Sequence, residues 1–326
     1  MAGFGILNAN QLLSLICDSI YTAGWSFFVS DADKPFGLVL KRPGREGSSL
    51  RIFIWNCTHG GGAARAADEF RIQFTGSVPA YRFGETVLLL GWYAPFGVFA
   101  AWDIERHQGQ DSGSPSAQIR EEILRGAYNN GFAVGERANG EIVAAFRPEL
   151  LAEYAMNSNA IHNGQIQELN ALNDFRHVDV QENAEPAGRE RVTSTIVRAY
   201  READFSRRVL AAYSSRCVMC GVQLKLIEAA HIVPVAAPFS TDFTSNGIAL
   251  CALHHKAYDS NLVSVAEDYS IEISKSRVYE LQGVNLGGGI EVFVKGLNRY
   301  INLPADRRDY PSVENISKSR QIRGWR

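Results

Sequence analysis

Apolar and polar residues follow two different periods along this chain. From Asn8 to Ala23, Leu12, Leu13, Ile16 and Ile20 recur at helical spacing and Gly24 follows as a stop, which predicts a helix. The pattern then shifts to short runs rich in β-branched and aromatic residues: Trp25–Val29, Gly37–Lys41, Leu50–Asn56, Phe70–Thr75, Thr86–Tyr93 and Val98–Ile104. Gly, Pro, Ser or Asp separates them, so they predict strands of a mostly antiparallel, curved or barrel-like sheet. Ser114 as cap and Pro115 at the first position predict a helix to about Asn129. Phe132–Glu136 and Ile142–Phe146 form a hairpin around Asn139-Gly140, and a helix follows from Pro148 to about Met156.

Residues 157–190 are polar, with one short helical stretch at Gln165–Phe175; Pro186 and Gly188 lie in a segment poor in large apolar residues. That change in composition predicts a β-rich domain over 1–160, a linker over 161–190 and a second domain over 191–326. The second domain opens on a basic helical stretch, Thr195 to Tyr213, carrying Arg198, Arg201, Arg207 and Arg208. The fold class expected is α+β.

Composition narrows the class. A length of 326 residues suits two or three domains, and 46% hydrophobic with 21% charged residues is ordinary for a folded protein. The longest apolar runs are too short for a membrane span, and Met1–Asn10 has no Lys or Arg ahead of its apolar residues, unlike a secretory signal. A cytoplasmic protein is expected. The net charge of −2 hides an asymmetry: residues 1–188 sum to −7 and residues 189–326 to +5. A basic C-terminal half suits a polyanionic partner, although a solvated charged surface explains it as well.

Three of the five cysteines cluster. Cys217-Val218-Met219-Cys220 is a pair of thiolates at knuckle spacing, and after thirty intervening residues Cys251-Ala252-Leu253-His254 repeats that spacing. Two such pairs close a tetrahedral zinc site of three sulfurs and one imidazole nitrogen, with no position left for water, so the zinc is structural. Between the pairs lies Glu228-Ala229-Ala230-His231-Ile232-Val233-Pro234. Asn246-Gly247-Ile248-Ala249-Leu250 precedes the second pair, and His255-Lys256-Ala257-Tyr258-Asp259 follows it.

The order His, Asn, His interleaved with a zinc knuckle resembles the HNH nuclease family, whose fold is the ββα-metal finger, over about Arg216–Val265. The resemblance implies phosphodiester hydrolysis. His231 then matches the general base, since a neutral imidazole accepts a proton from water near pH 7. Asn246 matches the residue that steadies the loop carrying the base. His255 matches a ligand of one catalytic divalent ion, Mg²⁺ or Mn²⁺, and Asp259, four residues on, falls on the same helical face and could share it. Many family members place a His or Asp ligand just before the base; here Ala230 stands there, as in an AAHI subgroup of restriction-type members. Glu228 could compensate or form a structural salt bridge. Adjacent His254 and His255 could exchange roles, but the spacings favour His254 on zinc.

The most unusual N-terminal stretch is Trp55-Asn56-Cys57-Thr58-His59-Gly60-Gly61-Gly62-Ala63-Ala64-Arg65. Its glycines permit close backbone approach, and Trp55, Asn56, His59 and Arg65 could contact DNA by stacking and hydrogen bonds; a hairpin loop over a β core is the plainer alternative. Trp92, Tyr93, Phe96 and Trp102 are further pocket candidates, though strands of this pattern bury their aromatics. A strand-rich domain with an aromatic pocket is similar to modified-base readers of the SRA or PUA type. Such readers joined to HNH nucleases occur in modification-dependent restriction enzymes. That likeness implies double-stranded DNA as partner, modified cytosine as target, a role in defence and, because one HNH site cuts one strand, a homodimer. Two alternatives stay open: a catalytically weak zinc-containing DNA-binding module, and an HNH nuclease gated by an N-terminal half that senses a small molecule or protein.

Overall fold

The computed structural model describes residues 5–41, 47–59, 66–75, 79–109, 115–173, 190–237 and 239–325. They fall into two units, Met1–Tyr200 and Arg201–Arg326.

The first unit begins with helix α1 (Ala9–Thr22), started by a capping box in which Asn8 and Gln11 each bond the other's backbone N–H. Strands β1 (Ser26–Asp31), β2 (Phe36–Lys41), β3 (Ser48–Asn56), β4 (Glu69–Gln73), β5 (Thr86–Tyr93), β6 (Val98–Trp102) and β7 (Ser116–Arg120) follow. Then come helix α2 (Glu121–Asn130), strands β8 (Phe132–Glu136) and β9 (Ile142–Phe146), and helices α3 (Leu151–His162) and α4 (Ile166–Leu169). Helix α5 (Glu190–Ala212) spans the division between the units. Seven strands form one sheet in the order β1-β2-β3-β5-β6-β9-β8, antiparallel throughout except for the parallel pair β3–β5. Strands β4 and β7 pair separately as a ribbon.

Both faces of the large sheet are buried, so its central strands read as continuous apolar runs. Ile52, Ile54, Leu88, Leu90 and Phe99 pack with Leu12, Ile16 and Ile20 of α1, Tyr154 of α3 and Val192, Ile196 and Val197 of α5. Phe53, Trp55, Leu89, Val98 and Trp102, alternating with them, pack with Ile72 and Ile119 of the ribbon and Leu124 of α2.

Two expectations are corrected here. Residues 116–120 are strand β7, and the helix expected from Pro115 starts only at Glu121. Ala117 and Ile119 point alternately inward, and the Gln118 carbonyl accepts a hydrogen bond from the Trp102 indole at 2.8 Å, which a helical turn there would forfeit. The expected linker is also too long at its N-terminal end. Ile161, Leu169 and Leu172 are buried, so residues 161–173 belong to the first unit, which continues through Tyr200. Gly131 ends α2 at φ +92, and an added Cβ would lie 2.2 Å from the Tyr200 ring; α5 packs close because this position lacks a side chain. Residues 174–189 of the expected linker, Ser114 and Arg65 lie outside the described residues.

The second unit contains β10 (Ile227–His231), β11 (Gly247–Cys251), α6 (Ala252–Asp259), β12 (Val263–Val265), β13 (Ile271–Ile273), α7 (Lys275–Gly283), α8 (Ile290–Lys295) and α9 (Val313–Ile322). Strands β10 and β11 pair antiparallel, with His231 opposite Gly247, and α6 follows at once: a β-hairpin and a helix, ββα. Phe205 and Val209 of α5, Ile248 and Leu250 of β11, and Ala257 and Tyr258 of α6 form its core. Helices α7 and α8 bury no side chain fully. Among the described residues, no helix is long and apolar enough to cross a membrane.

Candidate active site

The two knuckles meet as their spacing requires. The first is a tight turn, with Gly221 N–H bonded to Cys217 O at 2.8 Å and Cys217 N–H to Val222 O at 2.9 Å. The second sits at the start of α6, where Cys251 is the N-cap and His254 lies in the first turn. A bond from Val218 N–H to Ala249 O, 2.8 Å, joins them. The ligand atoms of Cys217, Cys220, Cys251 and His254 all lie within 4.8 Å of one another. His254 Nδ1 is 3.4 Å from Cys217 Sγ and 3.2 Å from Cys251 Sγ, and the Cys220 and Cys251 sulfurs are 4.0 Å apart. Tetrahedral zinc with its usual bond lengths needs edges of about 3.6 Å for S···N and about 3.8 Å for S···S, so the four donors fit.

Their charges fit as well. Burial opposes ionisation of Cys217, but the His254 imidazole and nearby backbone N–H groups outweigh it and bring the thiol down to about 6. Burial and that neighbouring thiolate push Cys220 up to about 12 and raise Cys251 too. Three thiolates in one place need a cation to hold them.

His231 closes β10. Its ring stacks on Phe205 of α5 at 3.7 Å between centroids and 12° between planes. Its Nε2 lies 3.0 Å from Asp242 Oδ1, so the carboxylate accepts that N–H and Nδ1 carries the lone pair. Asn246 is fully buried. Its Oδ1 accepts from Val233 N–H at 2.9 Å and its Nδ2 donates to Thr241 O at 2.8 Å, while Ile232 N–H bonds its backbone carbonyl. It therefore ties both ends of the 233–241 loop beside His231.

On α6, His255 stands between two carboxylates. Its Nδ1 is 2.6 Å from Glu228 Oε2, and its Nε2 is 3.6 Å from Asp259 Oδ2. The Glu228 hydrogen bond first, then the Asp259 charge, raise the His255 pKa against the effect of burial, and the same bond lowers that of Glu228. A ring that two carboxylates favour as a cation is equally suited to carry a divalent ion on Nε2, with Glu228 fixing the tautomer from behind. Arg323 holds the other oxygen of Asp259 at 3.7 Å. Glu228 shares a strand face with Ala230 by alternation, the position at which the resemblance expects a further ligand. Among the described residues, the zinc quartet is the one grouping of three or more metal-ligating side chains whose ligand atoms all lie within 4.8 Å of one another. His231 and His255 make no contact with each other.

Several expected DNA contacts are instead committed to the fold. Trp55 is buried, its indole N–H bonded to Thr75 O at 3.1 Å and its ring packed on Phe53 and Phe74, so neither face can take a base. Asn56 clasps the backbone of Leu7 with both amide atoms. His59 is half-buried against Phe70, with Nε2 3.2 Å from Ala66 O. Trp102 and Tyr93 are core; Trp92 packs on Phe99, and Phe96 lies between Tyr93 and the Arg125 guanidinium. Arg198 and Arg201 are exposed on α5, and Arg207 pairs with Asp204. Arg208 is spent on three partners: Asp204, the Thr244 hydroxyl at 3.0 Å and Asp242 O at 2.7 Å. Sequence reasoning missed Asp242 and Phe205. An acid four residues before Asn246, and an apolar i,i+4 pair Phe205/Val209 in a basic helix, were the available signals.

Residues 217–266 match the family model described as HNH endonuclease. The C-terminal unit carries an HNH endonuclease domain. Residues 48–155 match a second model, described as Methylase-associated X1, which runs from β3 into the first half of α3. No curated protein matches the chain. A structure titled "Modification dependent TagI restriction endonuclease" aligns over 84% of this chain and 81% of its own, at 10% identity and a TM-score of 0.30, a likeness too distant to bear on fold or function.

Proposed function

We propose that the chain is a DNA endonuclease that hydrolyses phosphodiester bonds by a one-metal HNH mechanism, and that its N-terminal unit reads double-stranded DNA carrying modified cytosine. The arrangement on β10, the loop before β11 and α6 carries the catalytic part: a histidine with one ring nitrogen engaged and the other without a partner among the described residues, a buried asparagine bracing its loop, and a second histidine between carboxylates. His231 takes the proton of the attacking water at Nδ1. Asn246 keeps the loop and therefore the base in place. His255 Nε2 and Asp259 would hold a Mg²⁺ or Mn²⁺ ion, with water and phosphate oxygens completing its shell. When bound, that ion neutralises charge on the transferring phosphoryl group and its 3′-oxygen. The zinc quartet takes no part in the chemistry and holds the hairpin to the helix.

The N-terminal role is supported by the match to a methylase-associated family over a separate β-rich unit. A restriction role in defence follows from joining such a reader to a nuclease, and a homodimer from the need for two sites in a double-strand break. Cleavage of methylated and unmethylated plasmid by the full chain with Mg²⁺ or Mn²⁺ tests the reading. His231→Ala should abolish cleavage while DNA affinity and zinc content stay unchanged, because the general base contributes about 10²–10⁴-fold to rate and nothing to binding. His255→Ala should also fail but recover in part with excess Mn²⁺. Near-normal cleavage by His231→Ala would refute the mechanism, and equal cleavage of both plasmids would refute modification dependence.

A further inference from the structure

Nothing in the HNH pattern explains why His231 should face a carboxylate, or why an arginine from the preceding helix should reach the same loop. Asp242 Oδ1 lies 3.0 Å from His231 Nε2, and the ring is pressed flat on Phe205. Arg208, one turn beyond Phe205 on α5, donates Nη2 to the Asp242 carbonyl and Nη1 to Thr244 Oγ1, and its own Nε is held by Asp204. Helix α5 thus fixes the imidazole by its face and the carboxylate by its backbone.

We propose, resting on the nuclease reading above, that Asp242 is the positioning residue of the general base, and that Arg208 acts through it. By accepting the Nε2 proton, Asp242 leaves the lone pair on Nδ1, the nitrogen that can then take a proton from water. As the water O–H bond breaks, that proton passes to Nδ1 while the oxygen bonds to phosphorus; the P–O3′ bond opens with its electron pair leaving on O3′, which takes a proton from a solvent water. The imidazolium so formed has its Nε2–H against a carboxylate, which favours it over a ring facing solvent, and it returns the proton to solvent after the cut. The ring cannot swing, because its plane is set by Phe205, and it cannot change tautomer without losing the Asp242 bond. Arg208 therefore serves catalysis through Asp242.

The test uses the full chain, supercoiled plasmid DNA and Mn²⁺, with single-turnover rate and DNA affinity measured separately. Asp242 is half-exposed, so its replacement should spare folding, and zinc content checks this. Asp242→Ala should lower the rate about 10- to 100-fold, within the roughly 10²–10⁴-fold limit set by the base itself, with affinity unchanged. Asp242→Asn keeps an oxygen acceptor for Nε2–H and should recover most of that loss. Arg208→Met should lower the rate in the same sense, and adding it to Asp242→Ala should cost little more, since both act on one ring. Wild-type cleavage by Asp242→Ala, beside an inactive His231→Ala, would overturn this proposal and leave the nuclease reading intact. A loss in affinity rather than rate would also overturn it, by making Asp242 a DNA or metal contact. Normal cleavage by His231→Ala would remove both readings together.

Discussion

Gly247 offers a sharp test of how α5 meets the hairpin. It stands opposite His231 in the β10–β11 register, and a Cβ there would lie 2.3 Å from Val209 Cγ2 and 2.9 Å from Phe205 Cζ. Both neighbours are fully buried, so neither can turn into solvent. Overpacking of this kind costs about 1–3 kcal/mol. The backbone itself is at ease, with φ −126, so Gly→Ala also removes freedom from the unfolded chain, an offset of roughly 0.4–1 kcal/mol. The net is a loss of about 1–2 kcal/mol. In a unit of this size each kcal/mol shifts the midpoint by roughly 3–6 °C, so Gly247→Ala should melt about 3–12 °C lower. The strain also falls on the ring beneath His231, and displacing a catalytic group by a fraction of an ångström costs rate, so cleavage should drop by about tenfold. Scanning calorimetry with a single-turnover assay reads both. Val209→Ala removes the closest clashing methyl, so the double variant should be more stable than the two single losses add up to. Wild-type stability of Gly247→Ala, or strict additivity with Val209→Ala, would show that α5 does not pack on the hairpin as described.

Zinc should be present at one ion per chain. Cys220→Ser should lose it and become protease-sensitive beyond residue 201, because structural zinc contributes about 10–16 kcal/mol, comparable to a whole domain's stability; full zinc in that variant, by elemental analysis, would refute the ligand set. In the first unit, Arg51 is buried against Asp31 and Glu85, each at 3.0 Å. The Asp33 backbone N–H and then Arg51 lower the Asp31 pKa, and Arg51 lowers that of Glu85. Their stabilisation is therefore complete above the unfolded values of about 3.9 and about 4.3 and is lost as pH falls through the depressed folded values. Melting temperature should hold from pH 7 to 5 and fall below about pH 4, a fall that Arg51→Met should flatten; a fall beginning near neutrality would contradict the assignment. Asn56→Ala should loosen the anchor of the chain before α1, seen as faster amide exchange around Leu7, with no loss of DNA affinity.

What the chain shows before folding depends on whether a signal is local. The zinc quartet and the His231, Asn246 and His255 order are legible because ligand spacing is a covalent matter: two pairs of donors three apart must each bend into one knuckle. Strand β5 and the hairpin of β8 and β9 fall where their patterns put them, since apolar runs and Asn-Gly specify them residue by residue. Strand β7 was lost for the opposite reason. Ser-Pro at 114–115 is a good helix start, but Ala117 and Ile119 find a partner in β4, more than forty residues away, and the ladder wins over the local preference.

Two of the expected DNA contacts show the same non-local effect. Arg208 and Trp55 look like ligand-binding residues by type, but what a guanidinium or an indole does is decided by what lies across the fold. For Arg208 that is the loop after β10, 34 to 36 residues on; for Trp55, the carbonyl of Thr75, 20 residues on. Asp242 was invisible for the complementary reason, a lone acid in a connecting loop until Arg208 fixes the loop and His231 meets it. The motif names the groups proposed to react. The residues that set their tautomer and aim come from α5 and the connecting loop, outside the motif, so substitutions there should change rate while leaving every motif residue in place.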